Sequence, residues 1–161
     1  MVLMIPHTIV GVAVATAVRR QPALALVLAF FSHFVLDAIP HWDPLIGDLK
    51  SKNFSGVGKE GRIIIATDFL VALDIGLFFV WRALNQAPLP DPVLATTIFC
   101  AALLANLPDG IMTPFVFLGR RWGWLEAYIR FHSLVQTKLP LPWGVLTQVV
   151  VAATGLLIAL R

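Results

Sequence analysis

Two histidines and two aspartates fall within the stretch Ser32-His33-Phe34-Val35-Leu36-Asp37-Ala38-Ile39-Pro40-His41-Trp42-Asp43, at the end of a long apolar run. His33 and Asp37 are four residues apart, so on a helix they share a face and can grip one ion or one hydrogen-bond partner together. Pro40 disfavours helix at Ile39, which places His41 and Asp43 in an irregular segment just past the helix end. A helical pair followed by a loop pair can converge on one point. Imidazole with carboxylate suits Zn, Mn or Fe, and the only cysteine, Cys100, lies elsewhere and excludes an intrachain disulfide. The plainer reading is a hydrogen-bonded cluster tying helix to loop. Polar groups at membrane depth are costly unless paired or functional, which favours a metal or catalytic role.

The elements that hold these residues are apolar throughout. Of 161 residues, 58% are hydrophobic and 13% charged, with a mean hydropathy of +0.84. A soluble domain has about 45–50% apolar and about 25% charged residues, so the departure is toward lipid. The expectation is a single all-α integral membrane domain over residues 1–161, a bundle of about five transmembrane helices with a short interfacial amphipathic helix. The net charge of +3 is spread over loops, and no Lys/Arg run exceeds two residues, which argues against a nucleic-acid partner. Residues 8–18 end in Ala15-Thr16-Ala17, yet Arg19-Arg20 follow that run and no basic residue precedes it, the reverse of a cleaved signal.

Spans are expected at about 3–18, 22–39, 62–81, 93–107 and 143–160, with the interfacial helix at about 122–138. Pro6 fits the first turn of span one, and Pro22 follows its end. Residues 44–61 are polar and turn-rich, hence a loop. In span three, Asp68 lies roughly 9 Å along the helix and Asp74 about 18 Å, near mid-membrane. Six residues apart, they do not share a face, and Asp68 has the better depth for the site; the role of Asp74 is open between a helix–helix hydrogen bond and support of the site. Asp91 before Pro92 reads as an N-cap with a first-turn proline. Span four is expected to stop at Pro108, and Asp109 either caps the next short segment or is functional. On the interfacial helix Leu125, Ile129 and His132 share a stripe, while Glu126 and Arg130 form an i,i+4 pair. The tryptophans and Tyr128 read as interfacial anchors.

Five spans put Arg19, Arg20, Arg82 and Arg161 on one side. Lys50, Lys52, Lys59, Arg62, Arg120, Arg121, Arg130 and Lys138 fall on the other, which is expected to be cytoplasmic. All four histidines, His7, His33, His41 and His132, gather on that same side.

A histidine just inside the N-terminus, then His33-x-x-x-Asp37-x-x-Pro40-His41-x-Asp43, Leu107-Pro108-Asp109 and Phe131-His132, resembles the membrane-bound metal-dependent hydrolases of the YdjM-like group. The match is close over the first 45 residues and thinner beyond, and the His-Arg-Gly-x-Thr-His stretch of some of those hydrolases is missing. The resemblance implies hydrolysis with a protein-bound divalent metal, for which the donor types suit Zn or Mn, and the count of basic residues puts the site at the cytoplasmic face of the cell inner membrane. His7, His33, Asp37, His41, Asp43, Asp68, Asp109 and His132 then supply eight candidate ligands, enough for two ions, with Asp37, Asp68 and Asp109 as catalytic candidates. Two metals suit phosphoester hydrolysis. Lys50, Lys52, Lys59 and Arg62 can hold a substrate phosphate or an anionic lipid headgroup, which points to a lipid-like phosphoester. The alternatives are an ion or small-molecule transporter with Asp68 and Asp74 on its path, or a non-catalytic membrane interaction protein.

Overall fold

The computed structural model of the chain describes residues 3–42, 58–86 and 88–161. Among these are seven α-helices and no strand: α1 (Met4–Ala17), α2 (Pro22–Ala38), α3 (Lys59–Leu84), α4 (Pro92–Ile111), α5 (Thr113–Leu118), α6 (Gly123–Val135) and α7 (Trp143–Ala159). With 26 and 20 residues, α3 and α4 are long and apolar enough to cross a membrane. They measure roughly 39 and 30 Å, against a hydrocarbon core of about 30 Å. The apolar helices α1, α2 and α7 are shorter, at 14, 17 and 17 residues.

Local chemistry sets the ends. Prolines open α2 and α4, and the Asp91 carboxylate accepts the Leu94 amide at 2.8 Å, the N-cap expected from the sequence. Pro40 halts α2 at Ala38. Gly119 closes α5 in the left-handed region, at φ 62°, which only glycine adopts without strain. The expected stop of the fourth helix at Pro108 does not occur, for α4 runs on to Ile111. A proline one turn from a helix end removes a single backbone donor, and the Pro108 carbonyl gains another partner, the Tyr128 hydroxyl at 2.9 Å.

The centre of the bundle is α1, which packs against α2, α3, α4 and α7. Its neighbours approach through small residues. A Cβ on Gly11 would lie 2.9 Å from the Ala101 carbonyl oxygen and 2.9 Å from Ala105 Cβ, and one on Gly155 would meet Ile9 at 2.7 Å. The shared core is correspondingly rich in alanine, with Ala13, Ala15, Ala29, Ala83, Ala95 and Ala101 around Val12, Ile98 and Phe79. A second cluster, Met112, Phe115, Val116, Leu125 and Ile129, seats α5 and α6.

Successive long helices run in opposite directions. At one end the Met4 amide binds the Asp68 carboxylate, and Thr147 at the start of α7 donates to the Pro40 carbonyl at 2.6 Å. At the other end the Arg82 guanidinium caps α7 through the Ala159 and Leu160 carbonyls at 2.8 and 2.7 Å. The outer faces are largely apolar, with Phe31, Val35, Leu70, Phe78, Leu103 and Leu157 exposed, whereas the four histidines and Asp37, Asp68 and Asp109 lie inside; Asp74 is the exception, exposed on α3.

Candidate metal centre

The site forms where the N-terminal turn of α1, the last turns of α2 and α4, and α6 converge. It holds His7, His33, Asp37, Asp109 and His132, none more than 2% exposed. The i,i+4 spacing of His33 and Asp37 puts both on the inner face of α2, with His33 Nε2 3.4 Å from Asp37 Oδ2. The same oxygen is 3.2 Å from His132 Nε2, and the two Nε2 atoms are 3.0 Å apart. The other Asp37 oxygen, Oδ1, faces His7 Nε2 at 3.5 Å. Asp109 Oδ1 lies 3.6 Å from His132 Nε2. The His7 and His33 rings stack at 4.2 Å. Two overlapping groups, His33/Asp37/His132 and His7/His33/Asp109, each bring three ligand atoms within 4.8 Å of one another and could hold a metal ion.

Three features of the residues themselves fit a cation. His33 Nδ1 is 2.8 Å from the Ala105 carbonyl and donates to it, which turns Nε2 toward the cluster. Both oxygens of Asp37, both of Asp109 and both nitrogens of His7 have no hydrogen-bond partner among the described residues, although buried polar groups are nearly always paired. The separations of 3.0, 3.2 and 3.4 Å also match the roughly 3.3 Å edge of a tetrahedron with zinc-length bonds of about 2.0–2.1 Å. Burial pulls the His132 imidazole below its ordinary pKa, against the opposing pull of Asp109 and Asp37, which favours the neutral, ligating form. Two buried carboxylates side by side carry a charge that one divalent cation offsets.

His132 reaches the cluster because Leu125, Ile129 and His132 form the buried stripe of α6 expected from their spacing. The chain after α6 is stitched to the end of α2: Thr137 donates to the Asp37 carbonyl at 2.9 Å, His41 to Thr137 at 3.1 Å and Leu139 to His41 at 2.7 Å. Segment 40–42 is also held by α7, with Gln148 Nε2 donating to the Trp42 carbonyl at 3.1 Å. His41 is buried, with Nδ1 2.8 Å from the Ile39 carbonyl and Nε2 unpartnered among the described residues. It belongs to neither three-residue group and instead lines, with His7, Thr147 and Gln148, a cavity of about 20 Å³.

Asp68 is also outside both groups. One of its oxygens takes the Met4 amide, and the Ile5 amide also bonds the carboxylate, so Asp68 caps the helix that carries His7 one turn further on. Its Oδ1 is buried without a hydrogen-bond partner among the described residues. Asp74 sits on the exposed face of α3. Lys59 and Arg62 are exposed on the first turn of α3, whereas Asp43, Lys50 and Lys52 lie outside the described residues. Glu126 pairs with Arg121 at 3.1 Å rather than with Arg130 as its spacing implies. Tyr128, read from sequence as an interfacial anchor, is instead half-buried and bonded to Pro108. Its signal was there: it lies four residues before His132 and so shares that face of α6. Burial, reinforced by Asp109 and Asp37, pushes the Tyr128 phenol above its ordinary pKa and keeps it a donor. The Ala105 carbonyl, a backbone group, left no trace in side-chain types. No family model, curated protein or solved structure matches the chain.

Proposed function

We propose that this chain is a membrane-embedded, divalent-metal-dependent hydrolase that cleaves a phosphoester on a lipid or lipid-like substrate, in keeping with its motif resemblance to the YdjM-like group. The observation that carries the reading is the buried triangle of His33 Nε2, His132 Nε2 and Asp37 Oδ2, with edges of 3.0, 3.2 and 3.4 Å. Three imidazoles and two carboxylates face one buried point here, a donor set that suits a cation. His7, His33, Asp37, Asp109 and His132 would hold Zn or Mn. Because the two oxygens of Asp37 face opposite imidazole sets, it serves a second ion as readily as a first. A divalent cation held there would supply Lewis acidity toward a phosphoryl oxygen and make a nearby water more acidic. Asp109, with both oxygens unpartnered among the described residues, would keep one oxygen for the cation and with the other take the proton of the attacking water and return it to the alkoxide that leaves as the P–O bond breaks. Asp68 fixes the α1 terminus and thereby His7. Lys59 and Arg62 attract the anionic headgroup from the rim.

In this reading α1, α2, α3, α4 and α7 all traverse the bilayer. Their alternating direction and apolar outer faces support it, as do exposed tryptophans at both ends, Trp81 at one and Trp122, Trp124 and Trp143 at the other. Among the described residues the site end carries six of the ten basic residues, which supports placing it on the cytoplasmic side of the inner membrane. The test is elemental analysis of detergent-purified protein prepared without chelator, beside His33→Ala and Asp37→Ala. Stoichiometric metal in wild type, lost in both variants, is expected, with phosphate release from a long-chain phosphate monoester that a chelator stops and Zn or Mn restores. Wild type without metal, or release indifferent to chelator, overturns the proposal.

A further inference from the structure

Beside the metal centre, α5 and α6 enclose a cleft of about 410 Å³ that the metal chemistry does not use. Its volume is that of a small-ligand pocket. Phe115, Ile129 and Leu134 make one part of the wall apolar, and Arg121, Glu126, Arg130 and Ser133 make the rest polar. The Arg121 guanidinium is placed rather than mobile: it lies 5.6 Å from the Phe115 ring centroid, and its Nε meets Glu126 at 3.1 Å. That pairing takes the carboxylate that helical spacing offers to Arg130, which lines the same cleft and has no ion pair among the described residues. Two guanidinium groups against one carboxylate leave the cleft cationic. Ile129 and Ser133 flank His132 on α6, so the cleft wall and the metal centre share one helix.

We infer that this cleft binds an anionic amphiphile, with its phosphate on Arg130 and Arg121 and its chain along Phe115, Ile129 and Leu134. A guanidinium pair matches phosphate oxygens in geometry and charge, and the apolar strip continues into the exposed Leu134 and Phe131 at the lipid-facing surface. Only the identification of this amphiphile as the substrate rests on the hydrolase reading; the binding does not.

The test is native mass spectrometry of the intact chain from detergent micelles with dioctanoyl phosphatidic acid, dioctanoylglycerol and inorganic phosphate as separate probes. Phosphatidic acid is expected to bind best, and Arg130→Gln to weaken it about tenfold or more, the worth of a hydrogen bond to a charged group. Arg121→Gln is expected to act in the same direction, whereas Arg20→Gln at the opposite end changes nothing. Arg130 is exposed, so its substitution leaves the fold intact. Wild-type affinity in Arg130→Gln, or inorganic phosphate binding as tightly as the amphiphile, overturns the inference. Metal content is read on the same samples. Loss of amphiphile with metal retained in Arg130→Gln supports the cleft, and a metal-free wild type that still binds phosphatidic acid sinks the hydrolase reading alone.

Discussion

Gly11→Ala tests whether the bundle core sets the geometry of the centre. A Cβ at Gly11 would stand 2.9 Å from the Ala101 carbonyl oxygen and from Ala105 Cβ, where ordinary contact begins at 3.4 Å. The obstacle includes backbone, so α1 and α4 must part by about half an ångström at that level. Ala105 supplies the carbonyl that orients His33, His7 lies one turn before Gly11, and Asp109 lies one turn after Ala105. Opening this seam therefore moves three of the five ligand side chains by an amount comparable to the roughly 0.5 Å tolerance of a preorganised site. Metal affinity, read by competition with a chromophoric chelator, is expected to fall about 10–100-fold, the usual penalty for disturbing ligand orientation. Thermal unfolding should report a loss of about 1–3 kcal/mol from overpacking. Gly76→Ala is the control, because its Cβ would meet Ala102 and Thr8 at 3.7 and 3.8 Å, ordinary distances. It should retain metal and gain slight stability from helix propensity. Wild-type affinity and stability in Gly11→Ala would refute the coupling between packing and site.

Gly144→Ala would drive a Cβ into the Trp42 backbone and the Leu139 carbonyl; we expect a lower melting temperature, by about 1–3 kcal/mol of stability, with metal content retained, because none of the five clustered ligands lies on segment 40–42 and the Thr137–Asp37 bond still ties α6 to α2. Asp68→Ala should cost about 1 kcal/mol by uncapping α1 and lower metal occupancy through His7, whereas Asp68→Asn keeps a capping oxygen and holds its metal. Equal metal loss in both Asp68 variants would instead make it a direct ligand. Tyr128→Phe removes the hydrogen bond to Pro108 and should cost about 1 kcal/mol by chemical denaturation, and an unchanged midpoint would show that bond to be idle.

Elements marked by side-chain chemistry were legible in the sequence. The Asp91 cap, the Pro40 stop, the inner stripe of α6 and the His33–Asp37 pair all follow from types and spacings, and the structure places each as expected. What escaped depends on partners distant in sequence. Nothing local distinguishes α1 as the central helix, because a helix apolar on every side has no face to read. Pro108 was taken as a terminator, yet its position one turn from the helix end lets α4 continue. Helical spacing paired Glu126 with Arg130, but Arg121 arrives from outside α6 and takes the carboxylate. Depth along α3 offers Asp68 to the site as a ligand, whereas the structure puts it outside both three-residue groups and on the α1 amides, a bond visible only once the two helices are side by side. Asp43, Lys50 and Lys52 fall outside the described residues and stay as sequence expectations.

Of the five clustered side chains, four are borne by helices of the apolar bundle and the fifth, His132, by α6, which packs over their ends. A cation gripped by both groups would therefore fasten α6 down like a clasp. Capture of the ion and closure of α6 then draw on one free energy, and peeling the helix away releases the ion. The amphiphile cleft lies on that same clasp, so a molecule seated between α5 and α6 would also strengthen the hold on the cation.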